Sequence, residues 1–192
     1  MSVSYRIFCA IDLPRDVRSR VMDHVARLRV ASPAVRASWA RDEGLHITLK
    51  FLGEIEAHRV VALLKAAENA AHHVRPFSLV LENIGTFPTR GAPRVLWIGA
   101  SDLSGNLAKL QQSLEDESAI EGFVREERIF HPHLTIARQR SPQGARTPAG
   151  LVNDLPFNPI EFPVTELVVI RSELGHEGSR YTVLSRHKFP AE

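Results

Sequence analysis

Two strand-like stretches constrain this 192-residue chain more than any other feature. The first is LHITLKF at residues 45–51; the second is FHPHLTIARQ at residues 130–139. Each carries a histidine and, two residues on, a threonine: His46 with Thr48, and His133 with Thr135. Residues at i and i+2 of a strand point to the same face. The neighbouring aliphatics, Ile47 and Leu49 or Leu134 and Ile136, then point to the other face and can fill a core. One such strand reads most simply as half-buried, with two hydrogen-bonded polar residues. Two copies are harder to explain that way.

The surroundings repeat as well. Apolar runs predict strands over 5–12, 45–53, 77–85, 94–100, 130–138, 162–174 and 179–189. Helical spacing predicts a helix over 16–29 through Val17, Val21, Val25 and Leu28. A second helix is predicted over 57–74 through Val60, Val61, Leu64, Ala67 and Ala71, and a third over 103–120 through Leu103, Leu107, Leu110 and Leu114. A short helix is expected over 147–155. After His46 the order is strand, helix, strand, loop, strand, and after His133 it is strand, short helix, strand, loop, strand. The turn-rich links TFPTRGAP and GHEG imply hairpins and antiparallel pairing. The expected class is α+β: one domain over 1–192, made of two interleaved, similar lobes. Each lobe is a small, mostly antiparallel sheet with helices on its outer face and one His-x-Thr strand at a pseudo-two-fold cleft.

Bulk electrostatics do not mark a nucleic-acid binder, since 24 basic residues face 22 acidic ones. The basic set is 20 Arg and 4 Lys, and arginine is the better bidentate phosphate ligand, but a codon bias toward Arg and Ala gives the same excess. Cys9 is the single cysteine, so no internal disulfide can form. No apolar run reaches membrane-spanning length, and a cytoplasmic monomer without a membrane partner is expected.

Two imidazoles and two hydroxyls on one cleft suit phosphodiester cleavage. Histidine titrates near neutrality, so one ring can act as base and the other as acid at the same pH. Threonine hydroxyls can hold non-bridging phosphate oxygens, and Arg138 is the candidate cation. Strict alternation puts Arg138 out of phase with His133 and Thr135, so it would need a strand end or a bulge to reach the cleft. By the same alternation Phe51 faces the core, with Phe8 and Trp97 also read as core. A rival reading takes His131 and His133, with His46, as zinc ligands for a metal-dependent phosphodiesterase. The threonines would then have no role. A third reading is a non-catalytic module that binds RNA ends.

The paired motifs, within WARDEGLHITLKFLGE, FPTRGAPRVLWIGA, PHLTIAR and SELGHEGSRYTVL, resemble those of the 2H phosphoesterase superfamily. Within it they are similar to the RNA 2',3'-cyclic phosphodiesterases, also called 2'-5' RNA ligases. The resemblance implies a bilobal fold and hydrolysis of a terminal 2',3'-cyclic phosphate on RNA, or on a nucleotide, to a 2'-phosphate. It implies no metal and no cofactor. It makes His46 and His133 catalytic, with His46 the acid and His133 the base, and Thr48, Thr135 and Arg138 phosphate-binding. It also implies reversible 2'-5' joining of RNA ends. Tyr181 and Ser172 match the family's last hairpin and read as structural. The stretch Ala40–Glu43 departs from the family pattern just before the first motif.

Overall fold

The computed structural model describes residues 3–33, 35–90, 92–139, 155–175 and 178–191. Its strands are β1 (Ser4–Asp12), β2 (Ala37–Trp39), β3 (His46–Glu56), β4 (Phe77–Phe87), β5 (Val95–Ser101), β6 (His133–Gln139), β7 (Ile160–Val164), β8 (Glu166–Gly175) and β9 (Gly178–Lys188). Its α-helices are α1 (Arg15–Ala31), α2 (Val60–His72) and α3 (Asn106–Ile120). The strands join in one sheet ordered β7-β4-β5-β6-β3-β1-β8-β9, with β2 also on β6. Every pairing is antiparallel. The α+β class expected from the hairpin-rich order is the class observed.

The two His strands sit side by side at the middle of the sheet. Each is flanked by the hairpin that follows the other in sequence. β6 has β5 and β4 beside it, the pair that follows His46. β3 has β1 beside it and then β8 and β9, the pair that follows His133. One crossing comes at Thr165. The sequence reads 162–174 as a single strand, but the chain breaks there into β7, which pairs with β4, and β8, which pairs with β1. Pro163 lies on β7, an edge strand, where a missing backbone N–H costs no ladder bond to an outer neighbour.

One face of the sheet carries the helices. Ile47, Leu134, Val21, Leu63 and Leu110 share one buried cluster that joins strands and all three helices. In α1 the predicted stripe Val17, Val21, Val25 and Leu28 is the buried one. In α2 the stripe differs: Leu63, Ala66, Ala67, Ala70 and Ala71 are buried, while Val61 is 74% exposed. A 3-10 turn over Ala57–Arg59 precedes the helix, and the helix turns its Leu63 side inward. In α3 the predicted start at Leu103 is too early, since Leu103 is fully exposed. The Asp102 carboxylate accepts from the Ser104 and Leu107 N–H groups at 2.8 and 2.7 Å. These bonds hold the turn before the helix, which starts at Asn106 after Gly105 in the left-handed conformation. The short helix expected over 147–155 lies, apart from Leu155, outside the described residues.

Candidate active site

Two matching bulges decide what faces the cleft. Between β1 and β3 the register passes from Ala10 with Thr48 to Cys9 with Lys50, leaving Leu49 as an extra residue. Leu49 and Lys50 are buried in succession, and Phe51 emerges on the side of His46 and Thr48. Between β5 and β6 the register passes from Trp97 with Thr135 to Leu96 with Ala137, leaving Ile136 extra. Ile136 and Ala137 are buried in succession, and Arg138 emerges on the side of His133 and Thr135. The phase difficulty of Arg138 is thereby removed. The core placement of Phe51 is corrected: it is 49% exposed and lies on the face of His46 and Thr48. Phe51 and Arg138 hold equivalent positions in the two strands, three residues after their threonines.

β3 and β6 meet through one ladder pair, Ile47 with Leu134, and both side chains are fully buried beneath the sheet. The residues on either side point to the opposite face. In antiparallel register, Thr48 comes opposite His133, and His46 comes opposite Thr135. From Ala137 onward β2 takes over that edge of β6. The sequence-derived tetrad is therefore gathered across one junction, each histidine facing the threonine of the other strand.

The imidazoles sit in different surroundings. His133 Nδ1 lies 2.7 Å from the His131 carbonyl oxygen. A carbonyl only accepts, so Nδ1 carries the proton and Nε2 holds the lone pair in the neutral ring. Phe87 meets that ring edge-on at 5.1 Å between centroids, and Trp97 lies at 6.3 Å. Burial lowers the His133 pKa, the His131 carbonyl opposes this, and the Arg138 charge lowers it further. His46 is packed between Phe8, at 4.5 Å, and Tyr181, at 5.3 Å. Burial pushes its pKa down to about 4, the Arg18 and Arg138 charges act in the same direction, and Asp12 acts against them. Arg138 thus acts electrostatically on both rings. It makes no ion pair among the described residues. A sheet face with a guanidinium that makes no ion pair among the described residues, two hydroxyls and two imidazoles held toward the neutral form is suited to an anion.

Several neighbours escaped the sequence reading. Phe8 is buried as expected, and with the half-buried Trp97 and Tyr181 it also frames the two histidines. Trp97 lies over Gly85, where a Cβ would come within 2.1 Å of its ring. Asp12 is the ladder partner of His46. Its carboxylate pairs with Arg18 and, at 3.1 Å, with Arg186. Arg18 also donates to the Leu13 and Asp42 carbonyls, tying α1 to the turn that leads into β3. Aspartate at the end of an apolar strand gave a weak signal, but its ladder partner was not legible. Among the described residues, no group of three or more His, Cys, Asp or Glu side chains is placed to hold a metal. The His131, His133 and His46 set therefore does not assemble as a ligand group.

The sequence model described as the 2'-5' RNA ligase superfamily matches residues 15–176. The chain is 32% identical to the RNA 2',3'-cyclic phosphodiesterase of Thermotoga maritima, over 96% of this chain and 95% of that protein. It is 32% identical to the protein of the same name from Escherichia coli, over 97% of each. The apo crystal structure of E. coli LigT superposes with a TM-score of 0.76 at 30% identity, covering 99% of this chain and 100% of that one. LigT complexed with 3'-AMP gives a TM-score of 0.73 at 28% identity, covering 98% and 100%. The paired strands, the extent of the match and these relatives agree: the chain belongs to the 2'-5' RNA ligase superfamily, the 2H phosphoesterases.

Proposed function

We propose that this protein hydrolyses the terminal 2',3'-cyclic phosphate of RNA to a 2'-phosphomonoester, by metal-independent acid–base catalysis with His46 and His133. The observation that carries the reading is the Ile47–Leu134 junction, which sets each histidine opposite the other strand's threonine, beside an Arg138 that makes no ion pair among the described residues. The relatives' names and the LigT complex with 3'-AMP support a nucleotide or RNA end as ligand.

Water attacks phosphorus, and His133 Nε2, the lone-pair nitrogen, takes its proton. The bond from phosphorus to the 3' oxygen breaks, and His46 delivers a proton to that oxygen. The 2' oxygen stays bonded to phosphorus. Thr48, Thr135 and Arg138 hold the non-bridging oxygens as their charge changes. His46 is neutral in the free protein at pH 7, with a pKa near 4. The phosphate anion favours its protonated form on binding. Phe51, at the cleft edge, offers a face for the terminal base. With a 5'-hydroxyl in place of water, the same steps would join RNA ends 2'-5'. In this reading the chain works as one cytoplasmic, monomeric domain of two interleaved lobes.

The test uses adenosine 2',3'-cyclic phosphate in excess EDTA, with the 2'- and 3'-monophosphates separated. Turnover to the 2'-phosphate is expected. No turnover, loss of turnover to EDTA, or a 3'-phosphate product would overturn the proposal.

A further inference from the structure

We infer that Arg6 binds the phosphodiester one nucleotide upstream of the cyclic phosphate, so that the protein favours an RNA strand over a mononucleotide. The inference rests on the function proposed above and extends it to the rest of the substrate.

Arg6 lies on β1, and alternation puts it on the cleft face with Phe8, Ala10 and Asp12. Ala10 pairs with Thr48 and Phe8 with Phe51, so Arg6 lies beyond Phe51 as seen from the tetrad. Four residues of strand from Ala10 to Arg6 span ~13 Å at about 3.3 Å per residue. An extended arginine side chain reaches back over part of that distance. The Arg6 guanidinium lies over the Phe51 ring, 4.8 Å from its centroid. Stacking holds the planar group while leaving its N–H edge free for phosphate.

Arg6 is exposed and makes no ion pair among the described residues. A cavity of about 260 Å³ opens beside it, lined in part by Glu54 and Ser172. Both are ladder partners of Arg6. An exposed aromatic with a cation beyond it is the pairing single-stranded nucleic acid uses, a surface for the base and a charge for the backbone. Glu54 shares this end of the sheet and repels the same phosphate, so the two side chains act with opposite sign.

The experiment compares adenosine 2',3'-cyclic phosphate with a short oligoribonucleotide ending in the same group. For Arg6→Ala the oligonucleotide KM is expected to rise about five- to tenfold at low salt, with kcat unchanged. The mononucleotide KM should stay within about twofold, which also reports correct folding. The slope of log KM against log salt should shrink by about 0.7, the value for one contact to a single strand. Arg6→Lys should restore most of that slope, and Glu54→Gln should lower the oligonucleotide KM. Equal effects of Arg6→Ala on both substrates, or an unchanged salt slope, would overturn the inference. If the wild type turns over neither substrate, the proposed function itself fails. If it turns over both and Arg6→Ala makes no difference between them, only the inference fails.

Discussion

Replacing His133 with alanine is expected to cut turnover of a 2',3'-cyclic phosphate by about 10³-fold or more, in the range for a lost general base. The Nδ1 contact to the His131 carbonyl fixes the tautomer and leaves Nε2 with the lone pair that takes the proton. His46→Ala should lose a comparable factor on the same substrate, because a 3' alkoxide is a poor leaving group without a proton. The two variants separate on a p-nitrophenyl phosphodiester, whose leaving group needs no acid. There His46→Ala should recover to within about tenfold of wild type, while His133→Ala stays impaired. Measuring kcat/KM for both variants on both substrates checks this. If His133→Ala is the one rescued, the roles of the two rings are exchanged.

A second large effect is expected away from the cleft. The bulge that turns Phe51 outward turns Lys50 inward, where it is 3% exposed. Its ammonium meets the Glu115 carboxylate of α3 at 2.5 Å and donates to the Val124 carbonyl at 2.9 Å. The same carboxylate oxygen accepts from the Glu126 N–H at 3.1 Å. Beside the pair, burial pushes the Cys9 thiol up to about 12, so it stays neutral. Truncating either partner strands a buried charge, and Lys50→Ala should cost about 3–5 kcal/mol. For a chain of this size that is a fall in Tm of very roughly 6–20 °C. Replacing both at once, Lys50→Met with Glu115→Leu, should recover most of the loss, since a well-packed apolar pair can match a buried ion pair. Denaturant unfolding of the two single variants and the double variant measures it. A loss below about 1 kcal/mol for Lys50→Ala would mean that the pair is solvated in solution.

Much of this arrangement was legible in the sequence. The His-x-Thr repeat marked both strands of the candidate site, and alternation correctly placed Ile47 and Leu134 beneath the two histidines. What alternation could not show was the pair of bulges. A lysine in a strand reads as solvent-facing, so the sequence offered no reason to bury Lys50 and turn Phe51 outward. Ile136 and Ala137 are both small or apolar, and nothing in them announces that two successive residues point inward before Arg138. The break at Thr165 was hidden for a related reason: the apolar run continues across it, while the two pieces pair with strands on opposite sides of the sheet. Tyr181 read as structural because its link to His46 depends on β8 and β9 lying beside β1, a long-range pairing with no local signature.

In the proposed mechanism two imidazoles of lowered pKa share one acid–base step, and the pH dependence of kcat/KM for a 2',3'-cyclic phosphate is its sharpest test. Burial and the neighbouring guanidinium charges favour the neutral ring at both positions. In the free protein the pair holds a single proton only between the two lowered values. Above the higher value, which lies below 6.5, the acid is missing. Below both values each ring carries its proton and the base is missing. The expected profile is therefore a bell with its maximum on the acidic side of 6.5, falling about tenfold per pH unit on its alkaline limb. A rate that is flat, or that rises from pH 6.5 to 8, would contradict it.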